Sequence, residues 1–276
     1  MAGRVVAVTG GGRGIGAAIA LRLARAGHRV AVGDLDGELA RQAAADAGRD
    51  ALGLELDVTS RASYVAFLDA VDERLGPVDV LVANAGVMWV GRFEDEPDEV
   101  ARRQVDVNLH GVLLGMKVAA PRMLSRGHGH LIAMASAASK VTPPGEATYA
   151  ATKHAVLGYC SAVREELRGS GVEVSVVMPG VVETALAAGT SSGPAARRLT
   201  PEAVAKAVHG VLDKPRFEVH VPPAVGVLTK LRAVLPRAAA DALHRAVVPD
   251  QLAQGDPAAR RSYEHRALGP GAPPAD

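Results

Sequence analysis

The chain has 276 residues, 31 Lys and Arg against 30 Asp and Glu, a formal net charge of +1 and no long basic block. That balance gives no electrostatic case for nucleic acid. Apolar residues make up 48% and aromatic ones only 3%, so a sizeable core of Ala, Val and Leu is expected, within the length of one large α/β domain.

The single Cys160 excludes an intramolecular disulfide and, by itself, a thiolate metal cluster. It sits on an apolar helix face (AVLGYCSAV) and reads as a packed core thiol. The 9 histidines are scattered with no pair at helical metal spacing, so no metal site is expected; His128 and His130 read as exposed loop residues. No leader is visible before the first strand-like run, and no apolar run reaches the about 18 residues of a membrane span. The expectation is a cytoplasmic protein without a transmembrane segment.

Taken in order, Arg4–Thr9 (RVVAVT) reads as a buried strand that runs into Gly10-Gly11-Gly12-Arg13-Gly14-Ile15-Gly16 and then an Ala/Leu-rich helix. Strand, glycine turn and helix N-terminus together make a phosphate site: glycines admit close backbone approach, and the helix start offers free N–H groups. A second strand, Arg29–Gly33, is closed by Asp34, placed to accept hydrogen bonds from ribose hydroxyls and to repel a 2′-phosphate. Asp36 reads as a helix cap. Strand three, Ala51–Leu56, ends in Asp57-Val58; a helix covers Arg61–Leu75, and Gly76-Pro77 ends it.

Val78–Val82 is strand four, followed by Asn84-Ala85-Gly86, where the glycine allows backbone to approach a ligand closely. A helical region spans Asp95–Met123. Asn108, in its apolar middle, is costly to bury unpaired, so something must hold its amide. The strand-like HLIAMAS ends at Ser136, and Pro143, Pro144 and Gly145 break the chain before a helix carrying Tyr149 and Lys153. These two lie one turn apart on one helix face, with a cation placed to favour the phenolate and a hydroxyl, Ser136, placed to meet it.

Strand six, Val172–Met178, precedes Pro179-Gly180-Val181-Val182-Glu183-Thr184. Residues 185–200 are small and Gly-rich and read as a mobile lid. A helix capped by Thr200 (Pro201–Leu212) and a short strand, Glu218–Val221, follow. Beyond them Ala224–Leu235 and Arg237–Val247 read as amphipathic helices. They stand to complete a pocket, to pack on a partner, or to rest on a membrane surface through Lys230, Arg232, Arg237 and Arg245.

Thr9-Gly10-x-x-x-Gly14-x-Gly16, Asn84-Ala85-Gly86, Asn108, Ser136 with Tyr149-x-x-x-Lys153, and Pro179-Gly180-x-x-x-Thr184 fall in an order and spacing that resemble the short-chain dehydrogenase/reductase family, in its shorter single-domain branch. Ala83 departs from that pattern, standing where the family carries the first Asn of Asn-Asn-Ala-Gly. With the βα alternation, the resemblance implies a Rossmann-type, doubly wound α/β fold. Its sheet would be mostly parallel and seven-stranded, with helices on both faces. Residues 1–255 would form one NAD(P)-binding domain, with a helical extension at about 222–250, and residues 256–276 a flexible tail.

The resemblance also implies roles. Gly10, Arg13, Gly14, Ile15 and Gly16 would hold the dinucleotide phosphates, Asp34 the adenosine ribose, and Asp57 and Val58 the adenine. Asn84, Gly86, Pro179, Gly180, Val182 and Thr184 would lie at the nicotinamide end. Asp34 argues for NAD; Arg13 keeps NADP open, since relatives preferring NADP often carry a basic residue there. Tyr149 would exchange the hydroxyl proton, with Lys153 lowering its pKa and holding the nicotinamide ribose. Ser136 would bind the substrate oxygen, and Asn108 would bend its helix and hold a relay water.

An apolar wall (Val87, Met88, Trp89, Val141, Leu186) suggests a lipophilic alcohol or ketone, with Ser136, Tyr149, Met88, Val141 and Leu186 touching it. The alternatives are enoyl reduction or dehydration on the same scaffold, and a non-catalytic NAD-dependent regulator, which would be expected to lose Tyr149 or Lys153. The family also implies a homo-tetramer or homo-dimer.

Overall fold

The computed structural model describes residues 3–48, 50–192 and 197–268, with the side chain of Pro257 left aside. Seven strands form one sheet: β1 (Val5–Thr9), β2 (Arg29–Asp34), β3 (Leu52–Glu55), β4 (Val80–Ala83), β5 (Gly129–Met134), β6 (Val172–Pro179) and β7 (Glu218–Val221). Their order is β3-β2-β1-β4-β5-β6-β7, and every pairing is parallel, with Val6 opposite Val30 on one side and Val80 on the other. The sheet is therefore wholly parallel among the described residues, more so than the sequence led us to expect.

Parallel strands covered on both faces need apolar residues at every position, and β1 supplies them as Val-Val-Ala-Val. Val5 and Ala7 face one layer, containing α3 (Arg61–Leu75), α5 (Gly111–Leu124) and α6 (Ala147–Glu166). Val6 and Val8 face the other, containing α1 (Gly14–Arg25), α2 (Gly37–Ala47) and α7 (Pro201–Asp213). Local signals set the helix starts: Asp36 accepts from the N–H groups of Glu38 and Leu39, Ser60 from Ser63, and Thr200 from Ala203. Cys160 is buried in the first layer as expected. His130 is not the loop residue that was expected: it lies buried in β5 with Nε2 2.8 Å from Ser175 Oγ.

The helical region before β5 is not one helix. A 3₁₀ turn at Phe93–Asp95 precedes α4 (Asp98–Val105), and a π-helical turn at Asp106–His110 joins α4 to α5. Strand order reverses between β1 and β4, so the chain opens a crevice at the C-terminal ends of these two strands, the place where such folds bind ligands.

After β7 come α8 (Pro223–Val234), α9 (Arg237–Val247), α10 (Gln251–Gln254) and α11 (Pro257–Leu268). The flexible tail expected from 256 is thus corrected as far as 268; residues 269–276 lie outside the described residues. Asp256 caps α11 by accepting from Ala258 and Ala259, and the Pro/Gly-rich composition that suggested a tail is concentrated beyond the helix. No helix among the described residues is long and apolar enough to cross a membrane.

Candidate active site

The glycine turn is shaped by contacts that leave no room for side chains. Gly10 and Gly14 have φ of 59° and 57°, and a Cβ on Gly10 would come within 2.7 Å of Ala85 Cα. A Cβ on Gly16 would meet Gly10 O at 2.2 Å, so this glycine lets α1 pack behind the turn; it does not line the crevice. Arg13 occupies the N-cap of α1 without a side-chain cap bond, which leaves first-turn N–H groups for an anion. A pyrophosphate fits this cradle.

Asp34 ends β2 nearly buried, its Oδ2 accepting from Gly12 N–H at 2.9 Å and its Oδ1 from Asp36 N–H at 3.2 Å. The carboxylate is thereby fixed at the rim of a groove of about 300 Å³, which Gly10, Arg13, Gly14, Ile15, Asp57, Val58, Asn84, Gly86 and Thr184 also line. Asn84 faces the groove and ties β4 to β1 as well: its Nδ2 donates to the carbonyls of Thr9 and Gly10 at 3.0 and 2.9 Å. Thr9 Oγ1 accepts from the N–H groups of Asn84 and Ala85, a support not read from the sequence.

A second cavity of about 220 Å³ adjoins the groove and shares Ile15, Asn84, Gly86, Thr184 and Leu186 with it. Ser136, Tyr149 and Lys153 converge on its wall, with Met88, Val141, Pro179, Gly180 and Val182 around them. Lys153 reaches it from α6, buried, with Nζ donating to Met134 O at 3.1 Å and lying 5.6 Å from the Tyr149 ring centre. The Tyr149 phenol and the Ser136 hydroxyl share this wall, and Ser136 Oγ accepts from Ala138 N–H at 3.1 Å.

Burial sets the electrostatics here. It raises the Tyr149 phenol well above its ordinary value, Glu146 and Tyr263 push the same way, and the Ser136 hydroxyl opposes them. Desolvation draws Lys153 down to about 8. In the protein by itself, burial is the largest influence on the phenol.

Asn108 touches neither cavity. It is fully buried in the π-helical turn, where Oδ1 accepts from Val87 N–H at 2.8 Å and Nδ2 donates to Val87 O at 2.8 Å and to Thr152 Oγ1 at 3.3 Å. The partner its amide required is thus the backbone after β4. Its oxygen would lie 3.3 Å, and Lys153 Nζ 3.6 Å, from a Cβ on Gly86, which places the three side by side.

Two of the expected wall residues are elsewhere. Val87 lines the dinucleotide groove, and Trp89 lines neither cavity, packing instead with Val100 and Leu268. Their places are taken by the extension: Val225, Leu228, Val247 and Val248 close the chamber, so it completes the pocket. The 185–200 segment is partly anchored. Thr190 is buried, Arg198 donates to Ala187 O at 3.1 Å and also to Thr190 O, and Ser191 N–H donates to Gln251 Oε1 at 2.7 Å. Positions 193–196 lie outside the described residues.

Helix α11 was missed entirely. Arg260 donates to Met88 O at 2.7 Å, to Leu186 O and Ala188 O at 3.0 Å, and to Glu264 Oε1 at 2.7 Å. Tyr263 Oη accepts from Met88 N–H at 3.2 Å, and Arg266 lines the groove. The signal was present in Asp256-Pro257, a cap followed by a first-turn proline.

A glycine cradle on a helix start, an acidic residue ending β2 and a Ser-Tyr-Lys cluster at the mouth define an oxidoreductase that binds a nicotinamide dinucleotide. The chain belongs to the short chain dehydrogenase family, whose model matches residues 4–195. It is 38% identical over 191 residues to 2,5-dichloro-2,5-cyclohexadiene-1,4-diol dehydrogenase LinX of Sphingobium indicum, covering 68% of this chain and 76% of LinX. It is 36% identical over 227 residues to glycine betaine reductase ATRR of Emericella nidulans, spanning 78% of this chain but only 18% of that longer protein. A crystal structure of a short chain dehydrogenase/reductase from Burkholderia phymatum in complex with NAD superposes with a TM-score of 0.77. The two are 27% identical, and the match covers 84% of this chain and 93% of that one. The enzyme accordingly acts on CH–OH and C=O groups.

Proposed function

We propose that this enzyme interconverts a lipophilic secondary alcohol and its ketone, with NAD preferred over NADP. The observation that carries the reading is the convergence of Ser136, Tyr149 and Lys153 where the dinucleotide groove meets an apolar chamber. When bound, the nicotinamide supplies or accepts the hydride. The chain's part is to hold the reacting carbon and move a proton. Ser136 Oγ and the Tyr149 phenol, on one wall of the chamber, together bind the substrate oxygen; Tyr149 gives or takes its proton. Lys153, desolvated and close to the phenol, favours the phenolate whenever it carries its charge.

Gly10, Gly14, Ile15 and the start of α1 would hold the phosphates, Asp34 the adenosine ribose, Asp57 and Val58 the adenine, and Asn84, Gly86, Pro179, Gly180, Val182 and Thr184 the nicotinamide end. Asp34 supports NAD, because its fixed carboxylate repels a 2′-phosphate; Arg13 on the same rim works the other way. The NAD in the Burkholderia neighbour and the cyclic diol in LinX's name are consistent with this reading. The apolar residues around the triad, Met88, Val141, Leu186 and Val225, support a lipophilic skeleton. The family leads us to propose a homo-dimer or homo-tetramer, which light scattering of the purified chain tests.

The functional test is to titrate NADH and NADPH and then follow the reduced-nicotinamide absorbance with alcohols and ketones of graded polarity. Tighter NADH and turnover of apolar ketones are expected. Turnover of small polyols with none of apolar ketones would overturn the substrate class.

A further inference from the structure

The wall of the chamber holds one ionisable group that the chemistry above does not use. Glu146 is the residue before α6, one helical turn ahead of Tyr149, and it lines the chamber with Ser136, Tyr149 and Lys153. It is 7% exposed. As the N-cap of α6 it makes no side-chain cap bond, and among the described residues no N–H or O–H donates to its carboxyl. Arg260 attracts it, yet that guanidinium directs four of its five N–H donors to Glu264, Leu186, Ala188 and Met88, and none of its hydrogen bonds reaches Glu146.

A carboxyl that faces an apolar chamber with no donor of the chain on it is poorly served, and an apolar side chain would suit this wall better. The cost shows in its titration: burial pushes Glu146 up to about 7, with Arg260 opposing. One helical turn ahead of Tyr149 and in the same lining, the carboxyl stands close to where the reacting oxygen would bind. What would satisfy it is a donor brought in by the ligand. Elsewhere in the lining, Met88, Val141, Leu186 and Val248 present apolar side chains to the rest of the molecule.

We propose that Glu146 is a substrate-binding residue that accepts a hydrogen bond from a second hydroxyl, so that the preferred substrates are diols and hydroxyketones on a lipophilic ring or chain. This rests on reading the chamber as the alcohol/ketone site. A substrate lacking the second hydroxyl leaves the carboxyl buried and unpaired, and is disfavoured for that reason.

The test uses the full chain with NAD and compares cyclohexanol with the vicinal and para cyclohexanediols, in the wild type, Glu146→Gln and Glu146→Leu. The wild type is expected to favour at least one diol in kcat/KM by about tenfold to a hundredfold, mostly through KM. Glu146→Leu should abolish or invert that preference, read as the ratio of kcat/KM for diol and mono-ol within each variant, and Glu146→Gln, whose amide still accepts, should fall between. Equal turnover of mono-ol and diols by the wild type, or equal loss of both in Glu146→Leu, would overturn the role of Glu146 and leave the alcohol/ketone reading standing. No turnover of any of them by a wild type that binds NADH would overturn both.

Discussion

Asn108 and Val87 are joined by two hydrogen bonds running in opposite directions, each 2.8 Å long, between one side-chain amide and one backbone peptide pair. This couples the π-helical turn between α4 and α5 to the loop after β4, beside Gly86 and Lys153.

Replacing Asn108 with Leu removes both bonds and leaves Val87 N–H and C=O without their partner. A loss of about 2–4 kcal/mol in denaturant unfolding is expected. Turnover should fall further than stability explains, because the loop that carries Gly86 shifts against Lys153. Unaltered kcat in a folded Asn108→Leu protein would show that the coupling does not matter to the site.

The Arg260–Glu264 pair is almost wholly buried at 2.7 Å and holds α11 to Met88 and to the 186–188 segment. Arg260→Ala strands the carboxylate and should cost about 3–5 kcal/mol. The double variant Arg260→Met with Glu264→Leu should cost less than Arg260→Met alone, because no carboxylate is then left stranded. Denaturant titrations of these variants check the order.

Cofactor choice turns on the groove rim. Asp34→Ala removes a fixed negative charge, and the NADPH-to-NADH affinity ratio should rise about tenfold or more. Arg13→Ala should lower that ratio. Fluorescence titration with both nucleotides reads it directly, and a ratio unmoved by either change would place the ribose elsewhere.

Two buried groups give opposing pH dependences. Glu146 is raised from 4.5 to about 7, so the folded state holds a proton that the unfolded state has lost, and stability declines as pH rises through that window. His130 is lowered from 6.5 to about 4 by burial, with Arg4 adding, so its share of stability is full above 6.5 and is lost as pH falls toward 4. Each is worth on the order of 3 kcal/mol, and in the wild type they largely offset each other. Glu146→Gln should expose the His130 dependence, with stability rising from about pH 4 to 6.5. A flat profile in Glu146→Gln would refute the opposition.

The βα core and the placing of Gly10, Asp34, Ser136, Tyr149 and Lys153 were legible because each rests on local chemistry: a strand, a turn, one helical turn of spacing. Trp89 was misplaced because periodicity tells that a side chain is buried and not against which neighbour; its partner, Leu268, is distant in sequence. Helix α11 was hidden by the Pro and Gly beyond it, although its Asp256 cap and the one-turn spacing of Arg260 and Glu264 were in view. The rise in the phenol's pKa was not legible, because the depth of burial that causes it is not visible in sequence.

Tyr149, at the junction of groove and chamber, is the proton donor and acceptor of the proposed reaction. The most direct measurement is single-turnover reduction of an apolar ketone by enzyme-bound NADH, in the wild type and in Tyr149→Phe. The phenylalanine variant should bind NADH as the wild type does and transfer hydride about a hundredfold to ten-thousandfold more slowly. Hydride transfer at the wild-type rate in Tyr149→Phe would contradict the account.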